Sequence, residues 1–312
     1  ISLVLIVLVA VLMFQRMLMA KPRPMLPILA SQQDIDAVAA VITSSQDAQH
    51  CVALTGDKSI MWSDDGRAFI AFGVTSRFWV AVGNPCGPLD ACQELIWKFR
   101  EEADLFGAKV AFYQVTADDL PLYIDLGLSL VKFGEQARVD LSNFSLEGRP
   151  RAFLRQRCTK FFKEGCTFSI LQTHELDNVI ADLKAVSDEW IHDKNANEKG
   201  FSLGFFDKAY LKRMPVAIVK KEGVIVAFAN IWHVETKEEL SIDLMRYSHN
   251  APANTMEFLF AQLMVWGREN VYRWFNLGMA PLAGLEEHRL APRWHRWGNA
   301  LFKLGNEFYN FE

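Results

Sequence analysis

Residues 215–257 read PVAIVKKEGVIVAFANIWHVETKEELSIDLMRYSHNAPANTME, and the fold turns on this stretch. The apolar runs Pro215–Lys220 and Val224–Val234 flank Glu222-Gly223, a two-residue turn signal, so they predict an antiparallel hairpin. Glu239–Arg246 predicts a third strand. Beyond a turn, Asn254–Asn270 carries apolar residues at helical spacing, and Tyr272–Leu277 reads as a further strand. Upstream, Glu175–Asp193 is helical. The order is therefore helix, hairpin, strand, helix, strand.

Working outward, the first half repeats that order. A helix is expected near Asp34–Ser44, then β-like runs at His50–Leu54, Ser59–Trp62 and Ala68–Val82, with Asp64-Asp65-Gly66 as a hairpin turn. Asn84–Pro88 (NPCGP) breaks the chain. Asp90–Leu105 is amphipathic, Lys109–Val115 a strand, Asp118–Leu126 a short helix and Leu128–Leu141 a strand pair. This is the element order of the acetyltransferase-like (GNAT) α+β fold. Two copies predict a tandem GNAT-like arrangement: a first domain over 21–148, a connecting basic helix over 149–165, and a second, catalytic domain over 166–312.

Composition agrees with two packed domains. The chain has 312 residues, 51% hydrophobic and 22% charged, which excludes disorder. A net charge of −4 excludes a globally basic nucleic-acid binder but not a local basic patch. Five scattered cysteines without a C-x-x-C pair offer neither a disulfide scaffold nor a zinc knuckle, so no metal is expected, and they fit a reducing compartment.

The run Ile1–Phe14 (ISLVLIVLVAVLMF) is uncharged and continuous. At ~1.5 Å per residue it falls short of the ~30 Å hydrocarbon core. It begins without a basic leader, so it is read as the end of a transmembrane helix, assigned to residues 1–20. Arg16, Lys21 and Arg23 follow it, placing what comes next on the cytoplasmic side. Lys21–Pro27 (KPRPMLP) is a linker that cannot continue the helix.

Two basic segments stand out. Arg149–Lys163 (RPRAFLRQRCTKFFK) carries Arg149, Arg151, Arg155, Arg157, Lys160 and Lys163 beside Phe153, Leu154, Phe161 and Phe162. Such a basic amphipathic helix suits a phosphate backbone, an anionic membrane, or both; a solvated charged face is the plain alternative. Arg289–Lys303 interleaves Arg293 and Arg296 with Trp294 and Trp297, a mix found at membrane interfaces and in nucleotide stacking, and equally in a buried core.

Polar groups set among apolar strands mark the candidate chemistry. Asp243 and Arg246 are ionisable groups inside LSIDLM-R, a run that reads as buried. A buried charge is costly unless paired, yet i and i+3 on a regular strand face opposite ways, so a bulge is required for the two to meet. The alternatives are a structural ion pair, or a carboxylate that handles a hydroxyl proton beside an arginine that holds an anion or oxyanion. Acyl-CoA enzymes of this fold hold the pyrophosphate on a Gly-rich loop before the second helix. Here that stretch is Tyr247–Asn254 (YSHNAPAN), without glycine, which disfavours coenzyme A. The sequence has no G-x-S-x-G, H-E-x-x-H, Walker loop or G-x-G-x-x-G.

The segments EKGFSLGFF (198–206), AFAN (227–230), SIDLMR (241–246), TMEFLF (255–260) and FNLGMAPLAG (275–284) resemble the catalytic domain of the bacterial phosphatidylglycerol aminoacyltransferases, or multiple peptide resistance factors. The resemblance covers roughly residues 25–312 and is densest over 190–285. It implies a cytosolic tandem GNAT-like domain behind a polytopic N-terminal flippase in the bacterial inner membrane. The implied reaction moves an aminoacyl group, lysyl or alanyl, from aminoacyl-tRNA to phosphatidylglycerol, with no cofactor, and confers resistance to cationic antimicrobial peptides. A homodimer is left open.

On this reading Asp243 serves the acceptor hydroxyl or the aminoacyl ammonium, and Arg246 the lipid phosphate or oxyanion. Glu257 and Glu198 serve the cationic aminoacyl group, which favours lysyl, and Lys199, Asn230 and Asn276 bind substrate. Arg149, Arg151, Arg155, Arg157, Lys160, Arg293 and Arg296 meet tRNA or lipid phosphate. The competing expectations are an alanyl donor, an aminoacyl-tRNA-dependent cell-wall peptide transferase, and a non-catalytic basic domain that binds anionic lipid or RNA.

Overall fold

The computed structural model describes residues 28–75, 77–194, 198 and 200–285. The expected transmembrane end over residues 1–20 lies outside them. Among the described residues no helix is long and apolar enough to cross a membrane.

The fold is mixed α/β with the GNAT-like order of elements, built on two sheets. Helix α1 (Gln32–Ile42) opens with a capping box: Ser31 Oγ accepts from the Asp34 amide at 3.1 Å, and the Asp34 carboxylate accepts from the Ser31 amide at 2.9 Å. It buries Ile35, Val38 and Ile42, at the spacing of one helical face. Strands β1 (Ser59–Trp62), β2 (Phe69–Thr75), β3 (Phe78–Val82) and β4 (Lys109–Tyr113) form the first sheet in that order, with β3 and β4 parallel. Helix α2 (Leu89–Leu105) crosses between them and inserts Phe99 among Phe72, Trp79 and Phe112. Each such ring contributes roughly 1.5–3 kcal/mol on burial.

Two expectations about the first half are corrected. His50–Leu54 is not a strand but part of a 3-10 helix, Ala48–Thr55, capped by Asp47 and ended by the left-handed Gly56. All of Cys51–Thr55 is buried, and a short buried apolar run carries no period that separates strand from helix. Leu128–Leu141 is not a strand pair. It holds one strand, β5 (Gly134–Asp140), which follows the short α3 (Leu120–Asp125) and leaves the first sheet altogether.

β5 joins the second sheet, whose order is β5-β10-β9-β8-β7-β6. After α4 (Ala152–Lys163) come β6 (Cys166–Leu171), α5 (Ile180–Asp193), the single-turn α6 (Lys208–Leu211), β7 (Val216–Lys221), β8 (Val224–His233), β9 (Glu239–Tyr247), α7 (Thr255–Glu269) and β10 (Trp274–Pro281). The expected β7–β8 hairpin is present. Its turn residues Glu222 and Gly223 have φ of 51° and 84°, the two positive values such a turn needs. β9 and β10 run parallel, and α7 packs Phe258 onto Phe161 of α4 at 4.7 Å. Between the sheets a shared core joins Ile35, Val52 and Leu54 of the first half to Tyr210, Met214 and Trp232 of the second.

Candidate active site at the β8–β9 bulge

The bulge that the spacing of Asp243 and Arg246 calls for is present. β8 pairs Ala229 with Met245 and Ile231 with Ile242, so Asn230 alone faces Asp243 and Leu244. Asn230 is fully buried. Its side-chain oxygen accepts from the Leu244 amide at 2.7 Å, satisfying a donor that the broken ladder leaves free. The extra residue changes the parity of β9, and the charges of Asp243 and Arg246 act on one another.

Asp243 accepts two bonds. The Tyr210 hydroxyl donates to Oδ2 at 2.6 Å, and the Gly204 amide donates to Oδ1 at 2.8 Å. Tyr210 in turn accepts from Trp232 Nε1 at 2.7 Å and Asn230 Nδ2 at 3.2 Å. Burial, and then the Asp243 charge, push the Tyr210 phenol well above its usual range, so it stays a neutral donor. Burial also raises the Asp243 pKa; the bonds from Tyr210 and Gly204, the nearby Asn230 amide and the Arg246 charge oppose it. A carboxylate so placed is a stronger base than a solvated one. A side chain at Gly204 has no room, since its Cβ would lie 2.0 Å from Asp243 Oδ2 and 2.7 Å from the Tyr210 ring.

Arg246 lies over the Trp190 ring of α5 at 4.1 Å and 3.6 Å from Glu198. Burial weakens its hold on the proton, while Glu198 and Asp243 strengthen it. A guanidinium so flanked remains a cation. Arg246 is 9% exposed, and its buried Nε has no hydrogen-bond partner among the described residues. Glu198 also accepts from the Phe206 amide at 2.8 Å. Asp243, Arg246, Asn230 and Glu198 thus converge. Tyr210, Trp232 and Trp190 join them without having been singled out by the sequence.

The other expected residues lie elsewhere. Glu257, in the first turn of α7, pairs with Arg157 of α4 at 3.0 Å. Asn276 of β10 donates to Glu239 at 3.1 Å, in a second buried cluster where Arg138 of β5 reaches Glu239 at 2.8 Å. Burial pushes the Glu239 carboxyl up to about 7. That cluster edges a cleft of about 700 Å³ lined also by Asp47, His50 and Asn84. Lys199, Arg293 and Arg296 lie outside the described residues.

The basic helix α4 is partly neutralised. Arg151 lies over Phe144 at 4.3 Å, and Arg155 donates to the Leu146 carbonyl at 2.6 Å. Arg157 is held by Glu257, whereas Arg149, Lys160 and Lys163 are exposed. Glu189, Asp193 and His249 bring three ligand atoms within 4.8 Å of one another and could hold a metal ion. All five cysteines are free and buried.

Comparison with known proteins gives a consistent result. The family model described as phosphatidylglycerol lysyltransferase, C-terminal, matches residues 40–312. The phosphatidylglycerol lysyltransferase of Bacillus subtilis (strain 168) is 42% identical over 231 residues, covering 74% of this chain and 27% of the relative. The chain therefore spans about a quarter to a third of the length of the curated relatives it matches. Among solved structures, the C-terminal domain of an Agrobacterium fabrum protein described as a lysylphosphatidylglycerol synthetase superposes with a TM-score of 0.81 at 39% identity, covering 89% of this chain and 85% of that one. The L-PGS of Bacillus licheniformis superposes at 0.78 and 38% identity, covering 89% and 86%.

Proposed function

The chain belongs to the phosphatidylglycerol lysyltransferase C-terminal family, and from that premise we propose that it carries the aminoacyl-transfer centre of a longer, membrane-bound enzyme. The donor is a lysyl ester on tRNA, and the acceptor is the glycerol hydroxyl of phosphatidylglycerol. The observation that carries the reading is Asp243, a base strengthened by burial and fixed by two donors, on the same strand as Arg246, whose buried Nε has no hydrogen-bond partner among the described residues.

The chemistry balances with these groups alone. The lipid hydroxyl oxygen attacks the ester carbonyl carbon while Asp243 takes the hydroxyl proton. Arg246 holds the lipid phosphate or the oxyanion that develops on the carbonyl. The bond from that carbon to the ribose oxygen then breaks, and the proton passes to the ribose hydroxyl. The ester is already activated, so alignment and proton handling are the main demands.

Coenzyme A is not the donor in this reading. In the stretch before α7, which lacks glycine, the amides of Ser248, His249, Ala251 and Thr255 are bonded to Val226 O, Glu189, Ser248 O and Pro252 O. They are not free to cradle a pyrophosphate. Glu198 and Glu257 are occupied by Arg246 and Arg157, so the choice of lysyl over alanyl rests on the names of the relatives. The same proposal reads the two halves as two GNAT-like copies. It places the chain behind a flippase domain on the cytoplasmic face of the bacterial membrane, lets the exposed cations of α4 meet tRNA or lipid, and takes resistance to cationic peptides as the outcome. Incubating the purified protein with lysyl-tRNA and phosphatidylglycerol should yield a lysyl lipid on thin-layer separation. Wild-type protein that makes none would overturn the reading.

A further inference from the structure

The turn that leads into β1 contributes a charged pair to the seam beside Asp243. Lys58, 1% exposed, is bonded to the Asp57 carboxylate and donates to Thr55 Oγ1 at 2.8 Å. Thr55 Oγ1 donates to the same Asp57 oxygen at 2.5 Å. The second Asp57 oxygen reaches across 144 residues of sequence and accepts from the Phe201 amide at 3.1 Å. Three residues later the same loop presents the Gly204 amide to Asp243. Phe201 is held at φ 61°, a left-handed conformation unusual for a large side chain, and its ring faces Gly73 of β2 and Tyr113 of β4. The Asp243 charge itself reaches Lys58.

Lys58 is buried and Asp57 partly exposed, and an ion pair that buries a charge is a poor way to gain stability, because apolar residues of similar volume do as well or better. Here one oxygen of the pair is spent on the 200–206 loop. We propose that Asp57, locked by Lys58 and Thr55, is a positioning residue. It fixes the loop at Phe201 so that the Gly204 amide stays on Asp243, and this is how the first half serves the reaction. The proposal rests on the transfer reading above for its catalytic consequence, but not for its structural one.

The test uses the purified protein with D57N, which keeps size but weakens the lock, and D57N/K58M, which leaves no unpaired buried cation. Hydrogen exchange of the peptide containing 200–206 should speed up at least tenfold in both variants while the melting temperature stays within a few degrees. In the lysyl-transfer assay kcat should fall about 10–100-fold, with KM for phosphatidylglycerol changed by less than about threefold, since misplacing a catalytic contact acts on turnover. Thr55→Ser, which keeps the hydroxyl, should retain wild-type exchange and kcat. Unchanged loop protection in D57N/K58M overturns the proposal whatever the assay shows. Loosened loop protection with wild-type kcat overturns it as well. Absence of transfer by the wild type counts against the functional reading, and loop exchange then decides the positioning role by itself.

Discussion

β3 and β9 occupy the same place in their sheets: each is antiparallel to the strand before it and parallel to the one after the next long helix. β3 reads FWVAV and pairs with β2 in unbroken register. β9 reads ELSIDLMRY and breaks register against Asn230. One scaffold position therefore makes an apolar wall in the first sheet and a site in the second. What separates them is one extra residue and the charged groups Glu239, Asp243 and Arg246. The first half is not idle, since its Val52 and Leu54 pack the core that holds Tyr210 and Trp232.

The largest expected effect tests whether chemistry is confined to the second sheet. Asp243→Asn should lower kcat by about 10³-fold. In the wild type the acid limb of kcat/KM should lie above the ordinary Asp range, because the carboxylate is the working form and its pKa is raised; activity is lost as pH falls through that value. An unchanged rate in the variant would erase the distinction between β3 and β9.

Next comes a matched pair of glycines. Gly204→Ala drives a methyl against Asp243 and Tyr210 and should cost about 10²-fold in kcat. Gly73→Ala, in the first sheet, meets only the Phe201 ring at 3.2 Å and should cost less than tenfold. Equal losses would show that the wall is as exacting as the site.

Glu239 sharpens the comparison through pH. Its pKa, raised by burial to about 7, means that the folded state binds the proton more tightly than the unfolded one. The associated stability is complete below about pH 4.5 and declines as pH rises through 7, by at most about 3 kcal/mol. Melting curves from pH 5 to 8 should show the wild type losing more than Glu239→Gln; parallel curves would refute this. The smallest effect is expected on the surface of α4. K160A/K163A should weaken binding to anionic vesicles by about 1 kcal/mol per lysine, with kcat on detergent-dispersed lipid unchanged. Salt-independent binding would remove the helix from that role.

Much of this was legible in the sequence. The β7–β8 hairpin followed from Glu222-Gly223, and the parity of Asp243 and Arg246 by itself required a bulge. Asn230 as its partner was not derivable, because pairing across strands leaves no fixed spacing. Tyr210, Trp232, Trp190 and Asp57 escaped for the same reason: they reach Asp243, Tyr210, Arg246 or the 200–206 loop over separations of 22 to 144 residues. Glu257 was assigned to the cationic aminoacyl group from the TMEFLF segment, and in the structure a basic neighbour, Arg157, pairs with it. Leu128–Leu141 showed extended character but could not show which edge it would seal.

That edge has a practical corollary. Because Gly134–Asp140 lies antiparallel along β10, residues from before the basic helix close a sheet made otherwise from residues after it. Cutting the backbone in the exposed stretch around Glu147–Pro150 would leave two polypeptides interlocked by a shared ladder. The second piece made singly would lack the edge strand of its sheet, whereas the two produced together would be expected to reassemble.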